Sequence, residues 1–228
     1  MMTLLLEKHD KLVMIGDSVT DCERARPVGE GLFGAIGKGY VANVDALLNA
    51  VYPELAIRVV NVGSSGNNVC DLKSRWQTDV FDLKPDWLSI MIGINDVWRQ
   101  FDIPRQPETH VYLDVYTQTL DELVAVTKSR VKGLVLMTPY YIEINPSDAM
   151  RAQMDRYGAA VQQIAEKHQT LFVDTQAAFN RVLASCHANA LAWDRVHPNH
   201  IGHMVLARAF LQAVGFAWED ALCGAQIV

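Results

Sequence analysis

Three residues of this chain have the types and spacing that nucleophilic catalysis needs. Ser18 follows the apolar run LVMIG (12–16) almost directly, and Asp194 and His197 stand three residues apart near the other end of the chain. A serine hydroxyl is a weak nucleophile that needs an adjacent base, and a histidine held in one tautomer by a carboxylate can serve as that base. We therefore take Ser18 as the candidate nucleophile, His197 as the base and Asp194 as the group that orients it.

Acyl transfer by such a triad also requires hydrogen-bond donors for the oxyanion of the tetrahedral intermediate. The backbone N–H of Ser18 can serve if a helix begins there, since the first N–H groups of a helix have no partner within it. Two further donors follow other apolar runs. Gly66 in NVGSSGNN offers a backbone N–H, and Asn95 in GINDVW offers a side-chain NH₂. Ser18, Gly66 and Asn95 form the predicted oxyanion hole.

The elements that must position these residues are predicted from the apolar pattern. Five short runs rich in Val, Ile and Leu show little alternation, as strands buried on both faces do. They occupy residues 12–16, 57–62, 87–93, 133–138 and 170–174. Apolar residues at helical spacing occupy 41–51, 113–124, 154–165 and 201–210. The alternation predicts an α/β fold, a three-layer α/β/α sandwich with a five-stranded parallel sheet in flavodoxin-like order.

Such a sheet explains how residues far apart in the chain can meet. Ligands bind outside the carboxyl ends of parallel strands, and Ser18, Gly66 and Asn95 each follow a predicted strand. Pro198 is expected at the first position of the last helix, which leaves His197 extended just before it. Asp17 is expected to brace the turn through hydrogen bonds to the backbone, without a part in the reaction.

Simpler structural explanations exist for several of these residues. Gly, Asp and Ser are common in turns, and Asp194 can cap a turn or pair with a neighbouring arginine. His197, His200 and His203 also form an H-x-x-H-x-x-H series of the kind that binds metal. Pro198 is expected to separate His197 from the helix, and no acid-rich or cysteine-rich ligand set accompanies the histidines. We expect no metal.

Two glycine-rich stretches are of the kind that can bind phosphate. GEGLFG at 29–34 matches G-x-G-x-x-G but does not directly follow a strand, and NVGSSGNN lacks a Gly-Lys-Ser/Thr ending. We expect no cofactor. A flavodoxin-like module that binds phosphate or flavin without covalent catalysis is kept as the alternative from another functional class.

Composition and charge narrow the classes further. The 228 residues are 50% apolar and 20% charged, which suits one globular domain over residues 1–228. The formal charge of -6 argues against binding to nucleic acid or to an anionic membrane. No stretch approaches the roughly 20 apolar residues of a membrane span. Four scattered cysteines, and an N-terminus without the pattern of a signal peptide, predict a cytoplasmic location.

Four blocks of the sequence resemble those of the SGNH, or GDSL, hydrolases. They are GDSV at 16–19, GSSGNN at 63–68, GIND at 93–96 and DRVH at 194–197, in the order of the family. The resemblance implies the SGNH hydrolase fold, the triad of Ser18, Asp194 and His197, and the oxyanion hole proposed above. The family has one key glycine in the second block. The form N-x-G-x-x-G favours Gly66, and Gly63 remains the alternative.

Longer stretches, among them GDSVTDCERARP and KPDWLSIMIGINDVWRQ, resemble intracellular bacterial acetylxylan esterases of this family. This resemblance covers nearly the whole chain. It implies removal of O-acetyl groups from acetylated xylo-oligosaccharides or related acetylated sugars, through an acetyl-enzyme and without metal. It also suggests a homo-oligomer. A lysophospholipase or thioesterase that acts on longer acyl chains is the alternative within the hydrolases.

Aromatic residues near the predicted site are candidates for contact with a sugar. Trp98 follows GIND, Trp193 precedes Asp194, and Tyr140 follows the fourth strand. Aromatic faces suit the apolar faces of sugar rings, although packing explains such residues equally well. The predicted substrate-binding residues are Trp98, Trp193 and Tyr140.

Overall fold

Five parallel strands form the centre of the structure, a computed structural model that describes residues 3–218. The strands are β1 (Lys11–Gly16), β2 (Arg58–Asn61), β3 (Trp87–Met91), β4 (Gly133–Met137) and β5 (Leu171–Val173). They lie in the order β2-β1-β3-β4-β5, and each neighbouring pair is parallel. The predicted α/β class and the flavodoxin-like strand order are confirmed.

Within the described residues, eight α-helices connect and flank the strands. They are α1 (Ser18–Asp21), α2 (Tyr40–Val51), α3 (Val69–Ser74), α4 (Ile94–Asp102), α5 (Leu113–Lys128), α6 (Ala149–His168), α7 (Thr175–Leu183) and α8 (His200–Ala213). Shorter helical turns are a π-helix at Gln77–Phe81 and 3₁₀ helices at Pro53–Leu55, Pro107–Thr109 and Ala188–Ala190.

The longer helices cover both faces of the sheet. With this strand order, right-handed crossovers place α2 and α8 on one face and α3, α5 and α6 on the other. The contacts agree with this placement, because α2 packs against α8, and α5 packs against both α3 and α6. Every residue of β3 and β4 is therefore buried, as the apolar runs predicted. The three-layer arrangement is confirmed.

The strand ends decide where the chain can present functional groups. The third apolar run predicted a strand to residue 93, but β3 ends at Met91. Gly93 has a φ of 128°, a conformation open to glycine, and it turns the chain directly into α4. Because β1 lies between β2 and β3, the loops that follow these three strands are neighbours at one edge of the sheet.

The GEGLFG stretch at 29–34 forms a loop beside this edge. Gly29 exchanges backbone hydrogen bonds with Asn61 at the end of β2. The next helix begins only at Tyr40, so the stretch does not lead from a strand into a helix as a dinucleotide-binding loop does.

Residues 1–2 and 219–228 lie outside the described part of the chain, and Cys223 is among them. The assignment of residues 1–228 to one domain stays a prediction. The three cysteines inside the described part, Cys22, Cys70 and Cys186, are free thiols.

Candidate active site

Ser18 is the first residue of the one-turn helix α1, which begins just behind β1. Asp17 caps this helix, because its Oδ1 accepts a hydrogen bond from the backbone N–H of Val19 at 3.0 Å. A side chain would not fit at Gly16, where a Cβ would lie 2.3 Å from the carbonyl oxygen of Met91. The capped turn thus holds Ser18 at the edge of the sheet, and Asp17 braces it through the backbone as expected.

Ser18, His197 and Asp194 form one hydrogen-bonded series. The Ser18 Oγ lies 2.9 Å from His197 Nε2, and His197 Nδ1 lies 2.6 Å from Asp194 Oδ2. A carboxylate only accepts, so Nδ1 carries the proton and Nε2 is left to accept the hydrogen of the Ser18 hydroxyl. The fold brings together the three residues that the sequence singled out, in an order that suits nucleophile, base and orienting acid.

Asp194 also holds the loop that carries His197. Its Oδ1 accepts the backbone N–H of Val196 at 2.9 Å and that of His197 at 2.8 Å. Burial alone would raise the pKa of Asp194, but the hydrogen bonds from His197 and Val196 lower it below its ordinary value. Asp194 therefore stays ionised beside the imidazole and can stabilise the imidazolium that forms when His197 takes a proton.

The start of the last helix differs from the expectation for Pro198. Asn199 is the N-cap, and its side chain accepts hydrogen bonds from the backbone N–H groups of Ile201 and Gly202. The helix begins at His200, so Pro198 lies before the cap and is not the first helical residue. The cap side chain decides the helix start here, since Asn is among the strongest N-cap residues. His197 still precedes the helix.

Tyr140 must be withdrawn from the predicted substrate-binding residues. Its side chain is 1% exposed, and its hydroxyl donates to the carbonyl oxygen of Val196 at 3.1 Å. The ring packs against Phe179 with 4.5 Å between ring centroids. Tyr140 therefore supports the loop of His197 from inside the protein and has no surface for a sugar.

The two glycines of the second block have different environments. The N–H of Gly63 donates to Asn61 Oδ1 at 2.9 Å, and a Cβ at Gly63 would lie 2.2 Å from the backbone nitrogen of Asp21. Gly66 is exposed at the turn with a φ of 82°, and a Cβ there would meet no atom within 4 Å. Within residues 3–218, the N–H groups of Gly66 and Ser18 have no hydrogen-bond partner. Gly66 therefore has a backbone donor to offer, and Gly63 does not.

Asn95 is fixed in orientation by both ends of its amide. Its Nδ2 donates to the carbonyl oxygen of Asn67 at 2.9 Å, and its Oδ1 accepts from Arg99 Nη2 at 3.1 Å. The amide group has two donor hydrogens, so one remains for a ligand. Arg99 thereby prevents the amide from turning its oxygen toward the site.

Two buried carboxyl groups belong to the segments that carry Ser18 and Asn95. Burial raises the pKa of Asp17 to about 7 and that of Asp96 also to about 7. Asp96 Oδ1 accepts the backbone N–H of Val69 at 3.1 Å, whereas its Oδ2 is buried without a partner. No role was predicted for Asp96, although its place in the GIND block was a usable signal. Both groups act on loop backbones and neither touches Ser18 Oγ.

The two tryptophans that were predicted to contact substrate lie in different settings. The Trp98 ring meets the His197 ring edge-on, with 5.7 Å between ring centroids. The guanidinium of Arg99 lies 4.7 Å from the centre of the Trp98 ring. Trp193 is 89% exposed and directly precedes Asp194. Trp98 therefore lies beside His197, while the Trp193 ring is open to solvent.

The histidines of the H-x-x-H-x-x-H series lie in different settings. His203 is buried in α8, where its Nδ1 accepts the backbone N–H of Tyr40 at 3.1 Å, and burial lowers its pKa to about 4. His200 is exposed at the start of the same helix. Within the described residues, no three His, Cys, Asp or Glu side chains are grouped to hold a metal ion.

Sequence reasoning missed the residues that support the loop of residues 63–67. Asp21 Oδ2 accepts both the backbone N–H of Ser65 at 3.0 Å and its hydroxyl at 2.8 Å. Burial opposes the ionised form, but the hydrogen bonds from Arg26 and Ser65 lower the pKa of Asp21 below its ordinary value. Its position three residues after the candidate nucleophile was the available signal.

A comparison with models of known protein families agrees with the fold and the site described above. The model of the GDSL-like lipase/acylhydrolase family matches residues 14–205. The chain belongs to this family, and it is a serine esterase. Between residues 3 and 218, no helix has the length and apolar character to cross a membrane.

Particular relatives are similar over almost the whole chain. An acetylxylan esterase of Geobacillus stearothermophilus is 66% identical over 209 residues, which cover 92% of this chain and 95% of that protein. The crystal structure of an acetylxylan esterase from the same organism has a TM-score of 0.93, with 64% identity over 94% of this chain and 98% of that chain. An α/β hydrolase enzyme from the metagenome of Lake Arreo, Spain, has a TM-score of 0.92 and 55% identity, over 94% and 99% of the two chains.

Proposed function

We propose that this serine esterase removes O-acetyl groups from acetylated xylo-oligosaccharides or closely related acetylated sugars. The observation that carries the proposal is the hydrogen-bonded series from Ser18 Oγ through His197 to Asp194, with distances of 2.9 and 2.6 Å. The likeness to an acetylxylan esterase over 92% of the chain supports the choice of substrate.

The reaction proceeds by two acyl transfers. Ser18 Oγ attacks the acetyl carbonyl carbon while His197 Nε2 takes the hydroxyl proton, and the carbonyl oxygen becomes an oxyanion. The intermediate collapses when the C–O bond to the sugar breaks and His197 returns its proton to the sugar oxygen. Water then attacks the acetyl-enzyme with His197 again as the base, which releases acetate and restores the Ser18 hydroxyl.

The oxyanion receives hydrogen bonds from three donors in this proposal. They are the backbone N–H groups of Ser18 and Gly66 and the free hydrogen of Asn95 Nδ2. Their support is that these N–H groups have no partner within residues 3–218 and that Arg99 fixes the Asn95 amide. Donors already aimed at the developing charge need no reorganisation during the reaction.

The assignment of the triad has a further support in the relatives. Solved structures of the Geobacillus stearothermophilus enzyme include catalytic mutants in which a serine, an aspartate and a histidine are each replaced by alanine. Those three residues have the same separations along that chain as Ser18, Asp194 and His197 have along this one.

A substrate panel tests the proposal. Acetate release is measured with acetylated xylo-oligosaccharides and other peracetylated sugars, and acyl length is tested with acetyl, butyryl and octanoyl p-nitrophenyl esters. Ser18→Ala is the control, and we expect it to lose activity on every substrate while keeping the wild-type melting temperature. Faster octanoyl than acetyl turnover would favour a lysophospholipase or thioesterase. Absence of a covalent adduct on Ser18 after a fluorophosphonate probe would favour a binding module.

The exposed indole of Trp193 is proposed to contact the sugar, and Trp98 to border the acetyl group beside His197. Trp193→Ala is expected to raise KM for acetylated xylo-oligosaccharides severalfold, with a smaller change for p-nitrophenyl acetate, which has no sugar ring. Trp193→Phe keeps an aromatic face and should recover much of the loss. An equal effect on both substrates in both variants would remove Trp193 from the sugar site.

Two further proposals concern the assembly and its location. We propose a homo-oligomer, supported by the exposed apolar side chains of Leu32 and Phe33 in the loop beside β2, which are 80% and 102% exposed. Native mass spectrometry tests it, and a monomer at micromolar concentration would contradict it. We also propose a cytoplasmic location, which the free thiols Cys22, Cys70 and Cys186 support. Fractionation of the native host tests the location.

A further inference from the structure

Arg75 makes contacts that the reaction scheme above does not use. It is the C-cap of α3, and its side chain is 16% exposed. The guanidinium donates to the carbonyl oxygen of Gly16 at 2.9 Å, to that of Val62 at 2.7 Å and to Asn67 Oδ1 at 2.7 Å. One side chain therefore joins the end of β1, the residue after β2 and the turn that follows Gly66.

These three acceptors lie close to the reacting groups along the chain. Gly16 is two residues before Ser18, and Asn67 directly follows Gly66. The Asn67 carbonyl oxygen in turn accepts from Asn95 Nδ2 at 2.9 Å. Asn67 is thus held through its side chain by Arg75 and through its backbone by Asn95.

The turn at Gly66 needs such an outside restraint. Glycine adopts positive and negative φ about equally well, so the residue itself does not fix the direction of its N–H. Nothing packs where a Cβ of Gly66 would be, so side-chain contacts do not fix it either. The position of the Gly66 N–H therefore depends on hydrogen bonds to its neighbours.

We propose that Arg75 is a positioning residue that sets the Gly66 N–H relative to the Ser18 N–H, so that both point at one oxyanion. This inference rests on the proposed function. A planar guanidinium with five N–H donors can reach all three acceptors at once, whereas a lysine ammonium with three donors on one nitrogen cannot copy that spread. Geometry, and not positive charge alone, is what Arg75 supplies.

Arg75 also pairs with Asp79 at 2.6 Å, and this contact provides a matched control. Asp79 lies one helical turn away and contacts none of the reacting groups. Asp79→Asn removes the ion pair but leaves the three acceptors near the oxyanion hole in place. We expect kcat of Asp79→Asn to stay within about twofold of wild type.

The test compares Arg75→Lys, Arg75→Met and Asn67→Ala with Asp79→Asn on p-nitrophenyl acetate. A misplacement of about 1 Å can cost about 10²-fold, so we expect kcat of the two Arg75 variants to fall about tenfold to a hundredfold with KM within about twofold. The inhibition constant of a boronic acid, which forms a tetrahedral adduct on Ser18, should rise by a similar factor. A merely structural role would not link kcat to tetrahedral-adduct binding in this way.

Asn67→Ala keeps the test valid if the Arg75 variants fold poorly. It removes only the Nε acceptor, so by itself it should lower kcat with KM within about twofold. Where Arg75→Lys folds, the two effects on kcat should not add in the double variant. Full activity of Arg75→Lys or of Asn67→Ala, a loss carried by KM, or additive effects would each overturn the inference. The proposed function is judged separately, because wild-type Ser18 must still form an adduct with a fluorophosphonate probe whatever the Arg75 variants do.

Discussion

Two loops carry Asp194, His197 and Gly66 of the candidate site, and they are held in different ways. In the loop of residues 194–197, the groups nearest the imidazole are held from within, because Asp194 accepts hydrogen bonds from Val196, from the His197 backbone and from the His197 ring. Outside bonds from Tyr140, Ile142 and Glu143 hold the remaining backbone and the Arg195 side chain. The loop of residues 63–67 is organised from outside. Its polar groups are bonded to side chains from β2, α1, α4 and the end of α3.

This difference separates two requirements of the chemistry. The base must stay in one tautomer, and a carboxylate three residues away is enough to fix it. The oxyanion donors must instead be aligned with a nucleophile from another strand, so the restraints have to come from several elements. A substitution in the first loop should therefore act through proton transfer, and one around the second loop should act through alignment.

The largest expected effect is that of Asp194→Asn, which replaces the carboxylate bonded to His197 Nδ1. The amide presents an N–H to His197 Nδ1, which favours the tautomer with a proton on Nε2, and this nitrogen can then no longer accept the Ser18 hydrogen. The fall in kcat can approach about 10⁴-fold. Turnover of p-nitrophenyl acetate measures it.

Asp174→Asn is the matched control for that change. Asp174 caps α7 behind β5, the outermost strand on the far side of the sheet from β1, and Asn caps a helix about as well as Asp, so activity should be unchanged. A loss below roughly tenfold in Asp194→Asn would show that the orienting carboxylate is dispensable.

Removing a donor beside the second loop should have the next largest effect. Asn95→Ala takes away the side-chain N–H proposed for the oxyanion and also the bond to the Asn67 carbonyl. We expect kcat to fall about 10²–10³-fold with little change in KM. Asn49→Ala, which removes a half-buried amide on α2 that is bonded to Asp45, should keep wild-type kinetics. An effect of Asn95→Ala on KM alone would contradict the assignment.

The two glycines of the second loop should respond differently to alanine. Gly63→Ala forces a Cβ to within 2.2 Å of the Asp21 backbone, so it should lower the free energy of unfolding. Overpacking of this kind costs roughly 1–3 kcal/mol, and more where backbone must move. Gly66→Ala has open space, so its strain of about 1–2 kcal/mol comes from the positive φ alone.

Chemical denaturation together with kcat measurements separates these two glycine variants. For the same loss in free energy of unfolding, Gly66→Ala should lower kcat more than Gly63→Ala does, because alanine shifts the turn that carries the donor. If the loss of kcat followed stability equally in both variants, Gly66 would have no special role.

The smallest effect concerns stability against pH, through the buried carboxyl group that caps α1. The pKa of folded Asp17 is raised to about 7, so the folded state binds a proton that the unfolded state has released above its ordinary value near 3.8. Its contribution to stability is complete below pH 3.8 and is lost as pH rises through about 7. One such group changes stability by at most about 1.4 kcal/mol per pH unit.

Asp17→Asn keeps the cap acceptor and removes this titration, so its stability relative to wild type should improve between pH 5 and pH 8. Thermal unfolding across that range measures it. Asp96 contributes with the same sign, because its pKa is also raised to about 7, and it keeps part of the slope in the variant. A constant difference between Asp17→Asn and wild type would mean that Asp17 is ionised throughout.

His203 provides a control of opposite sign. Burial lowers the pKa of folded His203 to about 4 from its ordinary 6.5, so its contribution is full above 6.5 and is lost as pH falls through about 4. The stability deficit of His203→Gln relative to wild type should therefore shrink as the solution is acidified. No change with acidification would show that the imidazole is solvated.

The sequence was sufficient to predict the strands and to single out the three residues that the fold brings together, because both depend on local patterns. Continuous apolar runs mark buried parallel strands, and Asp194 and His197 are close enough for their spacing to be informative. The choice between Gly63 and Gly66 depended on which N–H was already bonded, and only the packing of Asp21 and Asn61 against the loop reveals that.

Burial and long-range contacts account for what was wrong or missed. Tyr140 follows a strand at the correct edge, but its ring turns into the core, and nothing in the neighbouring sequence distinguishes the two directions. The acceptors of Arg75 lie up to 59 residues away in the chain. Such contacts form only after the sheet has brought β1 and β2 together, so no spacing in the sequence predicts them.

The edge-on contact between Trp98 and His197 has a practical consequence. An indole emits in the near ultraviolet, and its emission depends on the polar groups that touch it. The Trp98 and His197 ring centroids are 5.7 Å apart, so the emission of Trp98 is sensitive to what binds beside His197. Fluorescence recorded as a boronic acid is added, with a Trp98→Phe sample as the blank, would follow occupation of the site without substrate or label.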